Sequence, residues 1–450
     1  MAVWSEINIS TLATGTRLDA EYYQPLNLKR MKDLEKLKIV RLGDIAYVTD
    51  GIHASPDVVE DGGVRYLSAK CVKDNDFALG NTLQIRKSQH EANKRTSIRV
   101  GDVLLTTVGT IGNAAVVQPD MLPSNMDRHL GLIRLNTGAP VDPYFLSTFL
   151  NSEYGRFQSN RESTGNVQLN LFIEKIKELK LPLLEFSQVV SNKTQEAYAK
   201  RVESANHYAK AEGLLLSELG LGDLNLLPTL FYESRFFEIR QAVRLDAEFF
   251  QPKYYALIDA ILRTGKGRSL GEIVTHCERG LQPQYQDDGE IAVVNTKHMG
   301  TQFLSDDFER CSHVAWTKQK KARLKQYDVL FYSTGAYIGR TNCWLSDEKA
   351  IGSNHVTIIR PNSECNPVYL ALFMNSEAGL MQADCHAHGS AQREVYPNDL
   401  RAYTVWLPPM KKQEKLAKMV LDAKADRDES HRLLEEAKRM VEEAVLVSHY

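Results

Sequence analysis

The sequence lacks the features of secreted and membrane proteins. It has no run of about 18 apolar residues that would span a bilayer, and its start, MAVWSEINIS, has neither the basic beginning nor the apolar core of a signal peptide. The six cysteines form no CxxC pair and do not recur at matching positions, which argues against a zinc ribbon and a disulfide framework. We therefore expect a soluble cytoplasmic protein with reduced thiols.

Catalytic motifs are also missing. There is no GxxxxGK phosphate loop and no GxSxG nucleophile elbow. A self-sufficient DNA methyltransferase needs Asn or Asp, then Pro-Pro and an aromatic residue, whereas LPPM at residues 407–410 has Leu and Met in those places. The cluster DCHAH at residues 384–388 has no distant ligands of the same types to complete a zinc site. We expect no catalytic residue, no metal site and no cofactor bound by this chain.

Charge is balanced overall but uneven locally. The net charge of −2 argues against a uniformly basic nucleic-acid binder. Two basic runs stand out, RKSQHEANKRTSIR at residues 86–99 and KQKKARLK at residues 318–325. Either run alone fits a solvated helix face, but their equivalent places in the two halves of the chain favour a shared electrostatic role.

The sequence contains an internal repeat. RLDAEYYQP at residues 17–25 returns as RLDAEFFQP at residues 244–252, and later blocks keep the same order. These blocks are LGDI and LGEI, DVLLTTVGTIGN and DVLFYSTGAYIGR, SN at 124–125 and at 353–354, PYFLSTFLNSEYG and PVYLALFMNSEAG, and TGNVQ and HGSAQ. One domain is therefore duplicated, with loops that differ by a few residues. In RLDAEYYQP itself, we favour a packed segment with an Arg17–Asp19 ion pair over a surface that recruits a partner.

Each repeat predicts a globular α+β part followed by a long helix. Residues 40–182 and 269–408 contain short runs rich in β-branched and aromatic residues between turn residues, which indicates strands. Residues 185–219 and 411–447 lack proline and show apolar residues at steps of three and four, the pattern of coiled-coil a and d positions. Ala, Arg and Ser recur in register there, which predicts that the two helices pair antiparallel as a rigid spacer; the alternative is that each packs on its own domain.

These blocks, with the exits KLPLL and VWLPPM into long helices, resemble the specificity (S) subunit of Type I restriction-modification systems over the whole chain. The resemblance implies an α+β fold of two tandem pseudo-repeated α/β target-recognition domains separated by two long antiparallel coiled-coil helices. The implied division is an N-terminal segment with recognition domain 1 at 1–184, a central spacer helix at 185–220, a linker with recognition domain 2 at 221–410, and a C-terminal spacer helix at 411–450.

The resemblance also implies a function. The chain would be a noncatalytic, sequence-specific DNA-binding subunit that reads a bipartite target. Its partners would be double-stranded DNA, two modification (methyltransferase) subunits and restriction (endonuclease/translocase) subunits, without a membrane. S-adenosylmethionine would belong to the partner methyltransferase. Alternatives are a tandem-domain protein scaffold, which salt dependence would separate from a DNA binder, and the recognition subunit of a related non-translocating restriction-modification enzyme.

Reading base edges needs loops that carry Arg, Asn, Gln or hydroxyl side chains. In the first repeat the candidates are Thr107, Gly109, Thr110, Gly112, Asn113, Asn125, Arg128, Gln168 and Asn170. In the second they are Gln282, Tyr285, Lys297, Ser333, Gly335, Tyr337, Gly339, Arg340, Asn354, His355, Gln392 and Arg393. The glycines also fit plain strand connections, the asparagines local turn braces and the glutamines helix starts. Secondary candidates come from loops that differ between the repeats: His53, Lys70, Gln284 and His298.

Overall fold

The computed structural model describes residues 6–7, 12, 17, 19–80, 82–165, 168–221, 224, 226–242, 244–389 and 392–447. Leu18 of the first motif copy, and two residues in each of the TGNVQ and HGSAQ turns, lie outside the described residues. The chain divides into a first unit, Met1–Arg201 with Asp428–Tyr450, and a second unit, Val202–Arg427. Each unit contains one sequence repeat.

The first unit alternates short strands and helices. Its helices are α1 Pro25–Glu35, α2 Leu42–Ile45, α3 Lys87–Ala92, α4 Pro143–Asn151, α5 Glu153–Glu162 and α6 Ile173–Lys177. Its strands are β1 Ile39–Arg41, β2 Ala46–Asp50, β3 Val58–Val59, β4 Val64–Leu67, β5 Val72–Lys73, β6 Asp76–Phe77, β7 Leu83–Ile85, β8 Val103–Thr106, β9 Ala114–Val116, β10 Ser124–Met126, β11 Leu130–Leu135 and β12 Lys180–Pro182.

Two long helices contribute residues to both units: α7 Ser187–Leu219 and α14 Met410–Val447. The other helices of the second unit are α8 Phe236–Ala242, α9 Pro252–Arg263, α10 His313–Lys318, α11 Pro367–Asn375, α12 Glu377–His386 and α13 Pro397–Arg401. Its strands are β13 Gly267–Ser269, β14 Val274–Arg279, β15 Ile291–Val294, β16 Glu309–Cys311, β17 Val329–Tyr332, β18 Thr341–Cys343, β19 Ala350–Gly352, β20 Val356–Pro361 and β21 Thr404–Trp406.

The two units repeat one sheet topology. An antiparallel sheet of order β2-β11-β8-β9 in the first unit corresponds to β14-β20-β17-β18 in the second. A further sheet in each unit contains a parallel pair, which is β4 with β10 in the first unit and β15 with β19 in the second. In each unit the strand before the domain also pairs antiparallel with the strand after it, β1 with β12 and β13 with β21. The central strands VLLT and VLFY are buried throughout, as expected for strands covered on both faces. The predicted α+β repeat is confirmed.

A buried ion pair braces the same place in both main sheets. Arg134 binds both carboxylate oxygens of Asp102 at 2.7 and 2.6 Å, and Arg360 binds both of Asp328 at the same distances. Each carboxylate also accepts a backbone N–H at the entry to its strand, from Arg99 at 2.7 Å or from residue 325 at 2.8 Å. Fork-like pairing of this kind is strong and directional, so it fixes the strand entry in each repeat.

The repeated RLDAE motif is a packed helix cap. Arg17 makes two hydrogen bonds to Asp19, at 2.8 and 2.9 Å, and also donates to the carbonyl oxygens of residues 161, 162 and 163 at the end of α5. Arg244 pairs with Asp246 in the same way and donates to the carbonyl oxygens of residues 386 and 387 at the end of α12. A cation at a helix C-terminus is favourable. The favoured packing interpretation is confirmed.

The long helices run antiparallel where they meet inside each unit. In the first unit, Ser430 Oγ donates to the Ala197 carbonyl at 2.7 Å; in the second, Ser204 Oγ donates to the Ala423 carbonyl at 2.7 Å. A second contact in each unit shows the direction: Lys193 with Glu436 and Glu218 with Lys412. The helices also pack into the core of each unit, so both predicted packing modes occur together.

Two details of the predicted seam are wrong. Arg201 and Arg427 are not buried between the helices: Arg201 binds Asp76 of its own unit, and Arg427 lies 5.6 Å from the ring centre of Phe303 in its own unit. Steps of three and four continued along each helix predict Glu218 and Ala444 as the last seam residues, but the buried residues are Leu219 and Val445, one position further on. A straight helix turns every 3.6 residues and drifts from a repeat of 3.5, which explains the shift. No helix within the described residues is long and apolar enough to cross a membrane.

Candidate nucleic-acid interface

Three predicted segments of the first unit meet at the end of β8. The Thr107 backbone N–H donates to the His129 carbonyl at 3.1 Å, and the Leu171 N–H donates to the Thr107 carbonyl at 2.9 Å. An isolated bridge joins Val108 to Asn170. The glycine turn, the loop before β11 and the TGNVQ turn are therefore neighbours, as a common contact surface requires.

The second unit brings the equivalent segments together through two equivalent bonds and one further bond. The Ser333 N–H donates to the His355 carbonyl at 2.9 Å, the Val395 N–H donates to the Ser333 carbonyl at 2.9 Å, and the Gly335 N–H donates to the Arg393 carbonyl at 3.1 Å. The convergence is a property of the repeat and not of one loop sequence. Contact of these segments with DNA stays a prediction.

The four glycines all have positive φ, for two different reasons. Gly109 at φ 78° and Gly335 at φ 126° shape the turn itself. A Cβ on Gly112 would lie 3.2 Å from Ser159 Cβ, and one on Gly339 would lie 2.9 Å from Ala383 Cβ. Gly112 and Gly339 thus let the turn lie on a helix, which accounts for them without a phosphate contact.

Two asparagines of the first unit are internal braces. Asn125 is fully buried: its Oδ1 accepts from Thr96 Oγ1 at 2.6 Å and from the Met126 N–H at 2.9 Å, and its Nδ2 donates to the Asn93 carbonyl at 3.3 Å. Asn113 is also buried; its Nδ2 donates to the Val72 carbonyl at 3.2 Å and its Oδ1 accepts from Arg156. Direct base reading would break these bonds, so this placement favours the brace interpretation for both.

The remaining candidates of the first unit divide by exposure. Thr110, Arg128 and Gln168 are exposed, whereas Thr107 is buried and Asn170 donates its side-chain N–H to the Gln168 carbonyl at 3.0 Å. Arg128 lines an open cleft of about 380 Å³ with His53, Tyr66, Ser68 and His129. Of the secondary candidates here, His53 and Lys70 are exposed, and His53 Nε2 lies 2.6 Å from Asp50.

Arg340 has the most suggestive placement in the second unit. Its guanidinium carbon lies 3.8 Å from the ring centre of Tyr337, whose side chain is half exposed. Stacking on an aromatic face orients a guanidinium without neutralising it. Arg340 also makes a long contact of 3.5 Å to the Met299 carbonyl and pairs with no carboxylate within the described residues.

The other candidates of the second unit are less free. Lys297 binds Glu309 at 2.7 Å, which raises the pKa of Lys297, and Arg393 binds Asp384 at 2.7 Å. Ser333 and the secondary candidate His298 are buried, and burial lowers the pKa of His298. The exposed side chains in this group are those of Lys297, Gln282, Gln284, Tyr285 and Gln392.

The repeated letters SN do not occupy equivalent positions. In the first unit the Ser124 carbonyl accepts a hydrogen bond from the Ile98 N–H at 3.3 Å. The equivalent bond in the second unit runs from the Leu324 N–H to the Ala350 carbonyl at 2.8 Å, so Ala350 is the counterpart of Ser124. His129 and His355 hold equivalent places beside Thr107 and Ser333. Asn354 is therefore the counterpart of Arg128, not of Asn125, and the predicted alignment of this block was wrong.

Some partners of the candidate residues come from far along the chain and were not predicted. Glu394, the counterpart of Asn170, binds Arg279 and accepts from Thr334 Oγ1 at 3.1 Å. The equivalence of His129 and His355 could have been predicted, because DRHL and NHV share this histidine and the residues after it align at the same offset. Nothing comparable in the sequence marks Arg279.

Both basic runs form a short helix and a 3-10 turn before the central strand of the main sheet. The first includes α3 and residues 94–96, and the second includes α10 and residues 320–322. In the second run four exposed lysines have no acidic partner within the described residues: Lys318, Lys320, Lys321 and Lys325. The first run is braced to β10 through Asn125, and the second continues to Leu324, which bonds to β19. In the first run Arg86 binds Asp57 and Arg95 binds Asp50, whereas Lys87 and Lys94 are exposed and have no acidic partner among the described residues. Each unit thus keeps some unneutralised positive charge on one element, as phosphate contact needs.

Residues 266–436 match the family model described as Type I restriction modification DNA specificity domain. The sequence of this region is thus similar to the DNA specificity domain of Type I restriction-modification systems. It includes all of the second main sheet and much of α14, and the first unit repeats its sheet topology. The predicted resemblance is confirmed over these residues. No curated protein matches the chain significantly.

Solved structures with a similar chain include S subunits of the same systems. One is the Type-I restriction-modification system S subunit from M. genitalium, at 11% identity and TM-score 0.42, covering 91% of this chain and 95% of that chain. Another is the HsdS subunit from Thermoanaerobacter tengcongensis, at 18% identity and TM-score 0.30, covering 91% of this chain and 95% of that chain. At these TM-scores the likeness adds no weight to the specificity-domain assignment.

Proposed function

We propose that this chain is the noncatalytic subunit that reads a bipartite DNA target, one half-site with each unit, for a Type I restriction-modification enzyme. The observation that carries the proposal is the convergence of three candidate segments beside a basic element in both units, the second of which matches the family model. One reading surface of this kind takes up only a few base pairs, so two of them fit a target with two parts.

The chain would direct partner subunits to the target. Modification subunits, two in number because the repeat offers two equivalent surfaces, would bind S-adenosylmethionine and methylate the DNA. Restriction subunits would join the same complex, in the cytoplasm. A non-translocating enzyme would use an equivalent recognition subunit, since the difference lies in the partners.

A protein scaffold is the alternative from another class, and salt separates the two. Full-length protein, alone and with modification subunits, is selected against a pool of randomised duplexes, and the affinity for the selected duplex is measured between about 50 and 200 mM salt. Each phosphate contact contributes about 0.9 to the slope of log affinity against log salt. We expect two conserved blocks in the selected pool and a steep slope, whereas a flat slope without any selected block would support a scaffold.

The exposed lysines provide the matched variant. Replacing Lys320 and Lys321 with Gln should lower the salt slope by about one for each phosphate that is no longer bound, and should leave the selected sequence unchanged. Lys418, exposed but paired with Asp422 on α14, is the control, and Lys418→Gln should leave both slope and sequence unchanged.

A further inference from the structure

The two units hold a divergent pair of loops on the same backbone scaffold. A Cβ on Gly51 would lie 2.1 Å from the Asp127 carbonyl oxygen, and one on Gly280 would lie 1.9 Å from the Gly352 carbonyl oxygen. The next residue bonds across in both cases: Ile52 N–H to the Met126 carbonyl at 2.8 Å, and the residue 281 N–H to the Gly352 carbonyl at 3.0 Å. Backbone contacts therefore fix the loop after β2 or β14 beside residues 127–129 or 353–355, whatever their side chains are.

The side chains on this scaffold differ, except for one histidine. The first unit has Asp-Arg-His at 127–129 beside the loop His-Ala-Ser-Pro, and the second has Ser-Asn-His at 353–355 beside Gln-Pro-Gln-Tyr. A shared support with exchanged side chains is what two readers of different sequences need. The position of Arg128 and Asn354 is the centre of this difference.

In the first unit the cleft presents hydrogen-bond donors. Arg128 is exposed and has no hydrogen bond or ion pair to any residue within the described part of the chain. His53 faces the same cleft and is oriented by Asp50 at 2.6 Å. An arginine donating two hydrogen bonds matches the two acceptors O6 and N7 that guanine shows in the major groove.

In the second unit the same place presents an amide. Asn354 Oδ1 is buried without a partner within the described residues, and Asn354 Nδ2 lies 3.4 Å from His355 Nε2, a long contact. An unpaired buried acceptor is costly, so the side chain gains by turning toward a ligand that donates to it. This is the opposite of Asn125, which would lose several good bonds. An asparagine that accepts and donates at once matches N6 and N7 of adenine.

We propose that Arg128 selects a guanine in the half-site of the first unit and that Asn354 selects an adenine at the corresponding step of the other half-site. The inference rests on the proposed function, and it assigns base chemistry to one equivalent position in each unit.

The test exchanges the two side-chain pairs in the full-length protein. D127S/R128N transfers the second unit's residues to the first, and S353D/N354R makes the reverse exchange. Selection from randomised duplexes should show guanine replaced by adenine at one step of one half-site, or the reverse, with a change of about tenfold or more in relative affinity. The other half-site should be unchanged.

Arg128→Lys tests the same point with a smaller change that leaves the Asp127–His129 contact in place. It keeps the charge but loses the fork of two donors, so preference for guanine at that step should fall about tenfold while the salt slope stays the same. Lys87→Gln, an exposed change in the basic run of the same unit, should lower the salt slope and leave the guanine unchanged.

Two results would overturn the inference. One is an unchanged base at that step in all the variants, and the other is an equal loss of affinity for every sequence, which would make Arg128 a phosphate contact. Failure of the proposed function is distinguishable, because the unmodified protein would then select no sequence at all.

Discussion

The two units place opposite kinds of residue at one position of the same turn. Asn113 in the first unit and Arg340 in the second both follow the glycine turn, and the carbonyl of each accepts a backbone N–H at 2.8 Å, from Thr106 or from Tyr332. Asn113 is buried and its amide is used inside the protein, whereas Arg340 is stacked on Tyr337 and pairs with no carboxylate among the described residues. Equivalent backbone position therefore does not imply equivalent function, and the environment of each side chain decides.

The largest expected effect tests whether the Asp–Arg ion pair contributes equally to the stability of the two units. Asp102→Ala and Asp328→Ala each remove a buried carboxylate and leave a partly buried arginine without its ion pair, which should cost about 3 kcal/mol, the lower end of the range for a broken buried pair. We expect both changes to destabilise their own unit by similar amounts, measured as the free energy of opening by hydrogen exchange at β8 and at β17.

Exposed aspartates supply the controls for this comparison. Asp120→Ala in the first unit and Asp347→Ala in the second remove a carboxylate at the surface and should change stability by less than about 0.5 kcal/mol. A large loss of stability in only one of Asp102→Ala and Asp328→Ala would show that the ion pair contributes unequally to the two units.

The next effect uses a histidine at the end of α12, where the first unit has no histidine. Burial lowers the pKa of His386 to about 4, and its ring packs against Phe249 and Tyr403; Glu162 takes this place in the first unit. Because the unfolded chain binds the proton with a pKa of about 6.5, stability is complete above that pH and is lost as pH falls toward 4. At pH 5 the expected loss is about 2 kcal/mol.

The measurement compares urea unfolding of the wild type and of His386→Phe at pH 7 and pH 5. The aromatic replacement keeps the ring packing and cannot be protonated, so the difference between the two proteins should grow by about 2 kcal/mol on acidification. Equal pH dependence in the two proteins would contradict the neutral, buried histidine.

The smallest effect concerns reading. Arg340→Ala should lower discrimination at one base of the second half-site by about 1.5 kcal/mol, roughly tenfold, because a bidentate base contact is worth about 1–3 kcal/mol. Asn113→Ala should leave the selected sequence unchanged and lower the stability of the first unit by about 1 kcal/mol. Duplex selection and thermal unfolding of both variants check this. A change in the selected sequence with Asn113→Ala would contradict the interpretation of Asn113 as an internal brace.

Sequence reasoning predicted the duplicated architecture well because repetition is itself the signal. Blocks such as LGDI and LGEI recur in the same order at a nearly constant separation of more than 200 residues. The long helices had a periodic pattern that short elements lack. The glycine turns were also predictable, since positive φ demands glycine at places such as Gly109.

Individual side chains of the candidate site were harder to predict. The letters SN at 124–125 matched SN at 353–354 by coincidence, and only strand pairing showed that Asn125 is a brace while Asn354 stands opposite Arg128. Whether an asparagine side chain bonds within the protein depends on partners such as Thr96, which the local sequence does not indicate. The same holds for Arg201, which leaves the helix seam to bind Asp76.

The reciprocal serine bonds on the long helices have a consequence for evolution. Ser204 with Ala423 and Ser430 with Ala197 assign a fixed facing residue to each hydroxyl. An insertion in one helix alone would rotate its serine away and leave a buried hydroxyl without an acceptor. Changes of length should therefore be inherited in pairs, one in each helix and in whole heptads, so that the two distant stretches of the gene are constrained to change together.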